Sequence, residues 1–334
     1  MSLVYREIQT ELDEGRACAL QSDYRADGVT HTRIAPEEGA AVLSYTKTDD
    51  ALRVTTQFAP NARLIILGGG HIAVPLVRIA AVLGFRVWVY DDRPSFANEA
   101  RFPEAERVIC DDFAHMRGRL NLRRGDFVTV LTRGHKHDAL CLQEILAGDE
   151  TPRYLGMIGS KRRIAIVKDQ LKKTLGEAAV DVLNRLHAPI GIPIGSITPE
   201  EIALSILAEI VKVKRLGADG TANKRGQAGY VDPQVLNLLA QGAGETMALV
   251  TILSTRGSTP QAVGAKMLVY ADGRSVGSIG GGCAEADAVR AARDMMDTQG
   301  HQLMEIDMAE RAEDEGMVCG GGMTVLIEAL TDHS

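Results

Sequence analysis

The fold of the middle of this chain can be predicted from Leu64-Ile65-Ile66-Leu67-Gly68-Gly69-Gly70-His71-Ile72-Ala73. A short apolar run, typical of a buried parallel strand, leads into glycines with the spacing G-x-G-x-x-A, and an apolar helix is predicted to follow. Gly68 would make the tight turn, Gly70 would admit a phosphate, and Ala73 would let the helix pack on the strand. Because amides at the helix start would face that phosphate, the stretch predicts a dinucleotide-type loop.

The residues that follow keep alternating between strand and helix patterns. Short apolar runs recur at residues 86–90, 108–110, 127–132 and 154–158, and Thr198-Pro199-Glu200-Glu201 has the capping box that starts a helix. Such alternation predicts an α/β fold with a Rossmann-like, doubly wound parallel sheet over residues 61–215.

Polar side chains near the ends of these strands are candidate ligand contacts. Asp91, with Asp92 beside it, lies about twenty residues beyond the glycines, where a ribose-binding acid is expected. His71 lies inside the loop, and Ser160 opens a basic stretch whose amides and cations would suit a phosphate. The alternatives are a loop that serves only packing or holds another phosphate ligand, a His71 that contacts solvent, and a solvated helix start at Ser160.

A histidine pair after the strand at residues 127–132 allows a second interpretation. His135 and His137 share one side of an extended segment, so that with Asp138 they could bind a metal. The alternative is a polar loop over the sheet edge, with a helix that starts near Asp138.

The rest of the chain is predicted to form two further modules. Residues 1–60 read as a small α/β module, with a helix over residues 3–14 and strands over residues 40–45 and 51–58. Residues 216–234 read as a glycine-rich polar linker. Residues 235–330 read as a second, smaller α/β domain, with strands over residues 247–253, 265–270 and 323–328. Residues 8–20 weakly repeat the helix-to-strand approach at residues 245–249. Either an internal duplication or the general likeness of helix–strand openings would explain this.

Two glycine–cysteine elements lie in the last domain, Gly280-Gly281-Gly282-Cys283-Ala284-Glu285 and Cys319-Gly320-Gly321-Gly322. Glycine permits positive φ and close approach of another group, and a cysteine at a helix start has its thiolate favoured. Arg256, Ser258 and Lys266 could hold an anionic ligand nearby, or serve only turn and capping roles. Without an obvious histidine partner for either cysteine, a hydrolase triad is not supported.

Composition limits the functional classes. The net charge of −7 and the aromatic content of 4% argue against a nucleic-acid binder. No apolar run approaches the roughly twenty residues of a membrane span, and residues 1–7 lack the pattern of a secretory signal. Five cysteines without a CxxC pair predict free thiols in a reducing cytoplasm.

Several of these motifs together resemble the XdhC/CoxI family, the accessory proteins of xanthine dehydrogenase and related molybdenum hydroxylases. The resemblance covers about residues 60–215 and 240–330. In the Rossmann segment the motifs that carry it are Gly68-Gly69-Gly70-His71-Ile72-Ala73, Tyr90-Asp91-Asp92-Arg93, Gly156-Met157-Ile158-Gly159-Ser160-Lys161-Arg162-Arg163 and Ala188-Pro189-Ile190-Gly191-Ile192-Pro193-Ile194-Gly195. In the last segment they are Thr255-Arg256-Gly257-Ser258-Thr259-Pro260, Gly264-Ala265-Lys266-Met267, Gly280-Gly281-Gly282-Cys283-Ala284-Glu285 and Gly316-Met317-Val318-Cys319-Gly320-Gly321. In the commoner family arrangement the cysteine domain precedes the Rossmann domain, whereas here it follows.

The resemblance implies a chaperone of molybdenum cofactor (molybdopterin). Such proteins protect the cofactor during sulfuration by a cysteine desulfurase and deliver it to an apo molybdenum hydroxylase. The family's cofactor-binding cysteine maps onto Cys283, which could contact the molybdenum, and Cys319 is a second candidate. The expected cofactor-binding residues are Cys283, Gly281, Gly282, Cys319, Gly320, Arg256, Ser258 and Lys266 in the last domain and Gly68, Gly70, His71, Ala73, Asp91 and Ser160 in the Rossmann domain.

Three functional hypotheses stay open. The first is a non-catalytic maturation factor, with the pterin's phosphate, NAD(P) or another nucleotide at the Rossmann loop. The second is an NAD(P)-dependent oxidoreductase, which the absence of a clear general base and hydride site disfavours. The third is a protein that senses a nucleotide. A homodimer is the default expectation for the assembly.

Overall fold

The computed structural model describes residues 2–26, 28–36, 41–148, 150–176, 180–216, 232–242, 244–296, 300–307 and 321–330. The chain forms two compact units. Asn61–Asn223 make up one, here called the Rossmann unit. Met1–Pro60 and Lys224–Ser334 make up the other, here called the paired-sheet unit. The N-terminal 60 residues therefore belong to the same compact unit as the C-terminal segment.

The N-terminal part of the paired-sheet unit is a helix followed by an antiparallel sheet. Strand order is β2-β1-β4-β3. The elements are α1 (Ser2–Asp13), β1 (Cys18–Arg25), β2 (Gly28–Ile34), β3 (Leu43–Lys47) and β4 (Ala51–Phe58). The sequence predicted α1, β4 and part of β3, but not β1 or β2. In β1 the buried face is Cys18, Leu20, Ser22 and Tyr24, where a polar residue interrupts the apolar alternation.

The Rossmann unit contains a parallel five-stranded sheet in the order β7-β6-β5-β8-β9, which confirms the predicted fold class. The strands are β5 (Arg63–Leu67), β6 (Arg86–Asp91), β7 (Arg107–Cys110), β8 (Phe127–Val130) and β9 (Tyr154–Met157). The helices are α2 (Ala73–Val82), α3 (Met116–Leu120), α4 (His135–Leu146), α5 (Lys161–Leu175), α6 (Val180–Arg185) and α7 (Pro199–Leu216).

Both faces of this sheet are covered by helices. Leu64 and Ile66 of β5 face the apolar core formed with α2 and α7, whereas Ile65 and Leu67 face the core formed with α4 and α5. Successive strand residues point to opposite faces, so a strand buried on both sides must be apolar throughout. The capping box of α7 forms as predicted, because the Glu201 amide donates to Thr198 Oγ1 and the Thr198 amide to the Glu201 carboxylate.

The C-terminal part of the paired-sheet unit is a second antiparallel sheet, in the order β12-β11-β10-β14-β13. Helix α9 covers one face of it, and the N-terminal sheet packs against the other. The elements are α8 (Pro233–Gln241), β10 (Met247–Arg256), β11 (Lys266–Tyr270), β12 (Ser275–Gly277), α9 (Gly282–Met296), β13 (His301–Asp307) and β14 (Gly322–Leu330). The predicted linker falls largely outside the described residues.

The two sheets of this unit share one topology. In each sheet a helix precedes the first strand, which pairs with the second strand on one side and with the last strand on the other. The order β2-β1-β4-β3 therefore corresponds to β11-β10-β14-β13. The register also corresponds, since Ser22 lies opposite His31 in one sheet and Thr251 opposite Lys266 in the other. This correspondence supports an internal duplication, in which the described residues of the N-terminal copy include no counterpart of β12, the glycine–cysteine loop or α9. Among the described residues, no helix is long and apolar enough to cross a membrane.

Candidate functional sites

The glycine run before α9 has a backbone that other residues rarely adopt. Gly277, Gly280, Gly281 and Gly282 have φ values of 81°, 137°, 77° and 66°. This left-handed region favours glycine because a Cβ would clash with the backbone. The run therefore turns the chain sharply from β12 into α9 and places Cys283 in the first turn of that helix.

Glu285 holds this loop from within. Its Oε1 accepts hydrogen bonds from Ser278 Oγ (2.5 Å), the Ile279 amide (2.9 Å) and the Gly280 amide (3.2 Å). Burial opposes ionisation, but hydrogen bonds from Ser278 and the loop amides outweigh it and lower the pKa of Glu285. These amides are thus taken by a carboxylate of the protein rather than presented to a ligand. Glu285 was not among the predicted site residues, although an acid in the first turn of a helix was a usable signal.

Two segments that are distant in sequence meet near this turn. A methyl group on Gly280 would lie 3.2 Å from Pro260 Cγ, and one on Gly321 would overlap the carbonyl oxygen of Ser258. The Arg256 side chain is 81% exposed there and donates to Asp307 Oδ2 at 3.0 Å. The fold therefore collects the loop at residues 256–260, the glycine turn and the start of β14 at one end of the C-terminal sheet.

This convergence includes some of the predicted cofactor-binding residues and not others. Arg256, Ser258, Gly281 and Gly282 lie at this end of the sheet, with the backbone of Cys283. The side chain of Cys283, and all of Cys319 and Gly320, lie outside what the structure describes.

Lys266 is not part of this surface, contrary to its predicted role as a ligand contact. It is buried between the two sheets, where its Nζ donates to Thr251 Oγ1 at 3.0 Å. Burial lowers the pKa of Lys266 to about 8, against the opposing charge of Glu328. An ammonium group in that position cannot reach a ligand at the glycine turn.

A buried polar cluster surrounds Glu328 between the sheets. Tyr24 Oη donates to Glu328 Oε2 at 2.8 Å, and Ser22 Oγ lies 2.8 Å from His31 Nδ1. His31 Nε2 is 2.9 Å from Glu328 Oε1, close enough for an ion pair but not aligned for a hydrogen bond. Buried polar groups need such partners, so this cluster helps to fix how the two sheets pack.

The Rossmann loop uses its three glycines for different purposes. A methyl group on Gly68, whose φ is 112°, would lie 2.5 Å from the carbonyl oxygen of Leu131. A methyl group on Gly69 would overlap the carbonyl oxygen of Phe96. Gly70 has no left-handed φ, and no atom of the described chain lies within 4 Å of where its Cβ would be. Among the described residues, no packing contact therefore requires glycine at position 70.

Asp91 does not fit the role of ribose acceptor that the sequence predicted for it. It is 1% exposed, and its carboxylate accepts from the Gly69 amide (2.8 Å) and from the Arg93 amide and guanidinium. Asp91 therefore supports the glycine loop from behind. Arg101 supports the same loop by donating to the carbonyl oxygens of Gly69 and Gly70, at 3.1 and 3.4 Å.

The other predicted residues of this unit have mixed surroundings. His71 is exposed, and Ala73 is fully buried where α2 meets the sheet. Ser160 caps α5, since its Oγ accepts from the Arg163 amide at 3.2 Å. Asp92, directly after β6, accepts a bidentate hydrogen bond from Arg133, which lowers the pKa of Asp92 to about 2.

The metal interpretation of the histidine pair is not supported. His135 and His137 lie in the first turn of α4, where residues two apart do not share a face. Asp138 is buried and accepts from Thr132 Oγ1 (2.6 Å) and Arg163 Nε (2.6 Å). Within the described residues, no group of three or more histidine, cysteine or acidic side chains could hold a metal ion.

Removing the charge of Glu285 is expected to loosen the glycine turn. The substitution Glu285→Gln should destabilise the paired-sheet unit by about 1–2 kcal/mol, because hydrogen bonds to a charged group are the stronger kind. Hydrogen exchange followed by mass spectrometry should then show faster exchange in peptides that contain Ile279 and Gly280. The control Ser278→Ala removes one donor and keeps the carboxylate, so it should have the smaller effect. Equal exchange in all three proteins would refute the role of Glu285.

The fold and the two sites define a class of two-unit α/β proteins, in which a Rossmann unit accompanies a glycine–cysteine turn on an antiparallel sheet. Comparison with family models places the chain within this class. The XdhC Rossmann domain matches residues 64–210, and the XdhC and CoxI family matches residues 240–307. Together the two matches cover more than half of the chain, which belongs to the XdhC and CoxI family.

Individual relatives share parts of the chain. It is 31% identical over 156 residues to a Bacillus subtilis protein named as a probable xanthine dehydrogenase subunit, covering 47% of this chain and 44% of that protein. It is 32% identical over 165 residues to the uncharacterized Escherichia coli protein YqeB, covering 48% and 29%. It is 34% identical over 88 residues to the Escherichia coli molybdenum cofactor insertion chaperone PaoD, covering 26% and 28%. The matches span less than half the length of each of these relatives.

A solved structure resembles the chain over a larger share. The crystal structure of a xanthine dehydrogenase from Bacillus halodurans superposes with a TM-score of 0.50 at 27% sequence identity. The match covers 63% of this chain and 65% of that one.

Proposed function

We propose that this protein is an accessory chaperone that binds molybdenum cofactor, protects it during sulfuration and delivers it to a hydroxylase of the xanthine dehydrogenase type. The observation that carries the proposal is the convergence, at one end of the C-terminal sheet, of residues 256–260, the start of β14 and the glycine turn that leads into Cys283. The relationship to PaoD, which is named a molybdenum cofactor insertion chaperone, supports it.

The chemistry of this surface suits such a cargo. A thiolate is a soft ligand that matches a metal already held by sulfur, and the start of a helix favours the thiolate form of Cys283. The exposed guanidinium of Arg256 and the hydroxyl of Ser258 would bind the phosphate of the pterin. Glu285 would keep the glycine turn in shape while the cargo is loaded and released. A cysteine desulfurase and the apo-hydroxylase would be the partners.

Replacing the cysteine tests the proposal. When Cys283→Ser is made in a host that synthesises molybdenum cofactor, we expect at least a tenfold loss of co-purifying molybdenum and pterin, measured by mass spectrometry of the metal and by pterin fluorescence. Cys110→Ser is the matched control, because Cys110 is an exposed free cysteine in the other unit. If Cys283→Ser retained molybdenum and pterin like the control, the assignment of the thiol would be wrong.

The Rossmann unit supports a second candidate function, the binding of a nucleotide. The specific observation is the open space at Gly70, which nothing in the described chain occupies. Such a site would let the chaperone respond to a nucleotide, or would serve an oxidoreductase activity. Because it lies in the other unit, it is tested separately from the role of Cys283.

A further inference from the structure

We infer that the Rossmann unit selects a dinucleotide that carries a phosphate on its adenosine ribose, such as NADP(H), over one with a free ribose diol. The inference rests on the proposed nucleotide site and specifies its ligand. It depends on which hydrogen-bonding groups remain available at the end of β6, where the ribose of a nucleotide lies in this fold.

Most of the acceptor sites at this position are already used. A carboxylate has about four lone-pair sites. At Asp91 they receive the Gly69 amide (2.8 Å), the Arg93 amide (3.0 Å) and two guanidinium N–H groups of Arg93 (both 2.9 Å). The adjacent Asp92 is held bidentately by Arg133, at 2.5 and 2.8 Å. A ribose diol has two hydroxyl protons to donate. Asp91 has no acceptor site left for them, and at Asp92 the Arg133 guanidinium already takes two of about four sites.

The donors, by contrast, are still available. The Arg93 guanidinium lies 3.7 Å from the centre of the Phe96 ring, and its side chain is 31% exposed. Its NH1 group and the Nε group of Arg133 have no hydrogen-bond partner in the described part of the chain. A phosphate accepts hydrogen bonds and does not need to donate them, so it matches what this position offers.

Charge favours the same ligand. Arg93 and Arg133 balance the charges of Asp91 and Asp92 at the end of β6, while Arg101 adds a positive charge beside Gly69 and Gly70. Its two hydrogen bonds go to neutral carbonyl oxygens, so this charge is not cancelled there. An additional phosphate would be attracted to such a site, whereas a neutral diol would gain nothing from it.

The test is a fluorescence titration of the full chain with NADPH and with NADH. We expect NADPH to bind at least tenfold more tightly, and adenosine 2′,5′-bisphosphate to displace it better than ADP does. In Arg93→Met the preference should disappear and NADH binding should strengthen, because Asp91 regains free acceptor sites. Arg78→Met, on the exposed face of α2, is the control and should keep the preference.

Each outcome has a distinct meaning. Equal binding of NADPH and NADH by the unaltered protein, or an unchanged preference in Arg93→Met, would overturn the inference and leave the nucleotide site standing. No binding of either dinucleotide would overturn the nucleotide site as well. None of these outcomes affects the role of Cys283, which is tested separately by the molybdenum content of the purified protein.

Discussion

Gly69→Ala is expected to destabilise the Rossmann unit by about 3 kcal/mol, whereas Gly70→Ala should leave its stability within about 1 kcal/mol. The two residues are neighbours in the same loop, and neither has a left-handed φ. The difference lies in what surrounds them. A methyl group on Gly69 would overlap the carbonyl oxygen of Phe96, which is backbone and cannot rotate away, while the space at Gly70 is open.

Urea unfolding followed by tryptophan emission measures this difference. The chain has a single tryptophan, Trp88 in β6, so the signal reports on the Rossmann unit alone. We expect a lower midpoint for Gly69→Ala and an unchanged midpoint for Gly70→Ala. Equal destabilisation by both substitutions would show that Gly70 also has a structural role, and would remove the argument that an outside ligand requires it.

Lys266 should make the stability of the paired-sheet unit depend on pH. Its pKa is about 8 in the folded protein and has the usual value of 10.5 when the chain is unfolded. Between these values the unfolded state binds more protons, so this lysine contributes stability that increases as pH rises. The shift corresponds to about 3 kcal/mol. Relative to Lys266→Met, the unaltered protein should therefore gain about 3 kcal/mol between pH 8 and pH 10.5.

Comparing the two proteins removes the other titrating groups from the result. Burial raises the pKa of Cys18 to about 11 and that of Tyr24 well above its usual value, and both residues oppose the trend of Lys266. Because the unaltered protein and Lys266→Met both contain Cys18 and Tyr24, the effects of these two groups cancel when the free energies of unfolding are subtracted. Chemical denaturation followed by far-ultraviolet circular dichroism would give the difference in the free energy of unfolding between the two proteins. Trp88 emission would report the unfolding of the Rossmann unit, so that its contribution can be subtracted. Lys47→Met, at an exposed position of β3, should show no such pH dependence. A constant difference between the unaltered protein and Lys266→Met would contradict the burial of a titrating ammonium group.

The elements that could be predicted from the sequence are those with strong local patterns. The parallel strands of the Rossmann unit are continuous apolar runs, and the start of α7 has a complete capping box. Strands β1, β2 and β13 were missed because their alternation is weak. In β2 every residue is at least partly exposed, since it lies at the edge of its sheet, and burial imposes little pattern on it.

Part of the candidate site was predictable for the same reason, and part was not. The glycine turn before Cys283 was visible because positive φ demands glycine at consecutive positions. Glu285 was overlooked although it lies in the same motif, because a carboxylate is equally common on a solvated helix face. Arg93, Arg101 and Arg133 were not among the predicted site residues, and only their contacts with the loop and its acids distinguish them.

Two local features of the backbone could be predicted from neighbouring residues: the strand, glycine turn and helix at residues 64–73, and the glycine turn that leads into Cys283. Both depend on steric and hydrogen-bonding preferences of residues that are adjacent along the chain. Which polar groups stay available for a ligand depends instead on the tertiary structure. The Asp91 carboxylate accepts hydrogen bonds from Gly69 and Arg93 and has no acceptor site left, and Lys266 is buried with its ammonium group bonded to Thr251. Such outcomes depend on contacts between residues far apart in sequence, where burial and competition among donors and acceptors decide which groups remain free for a ligand.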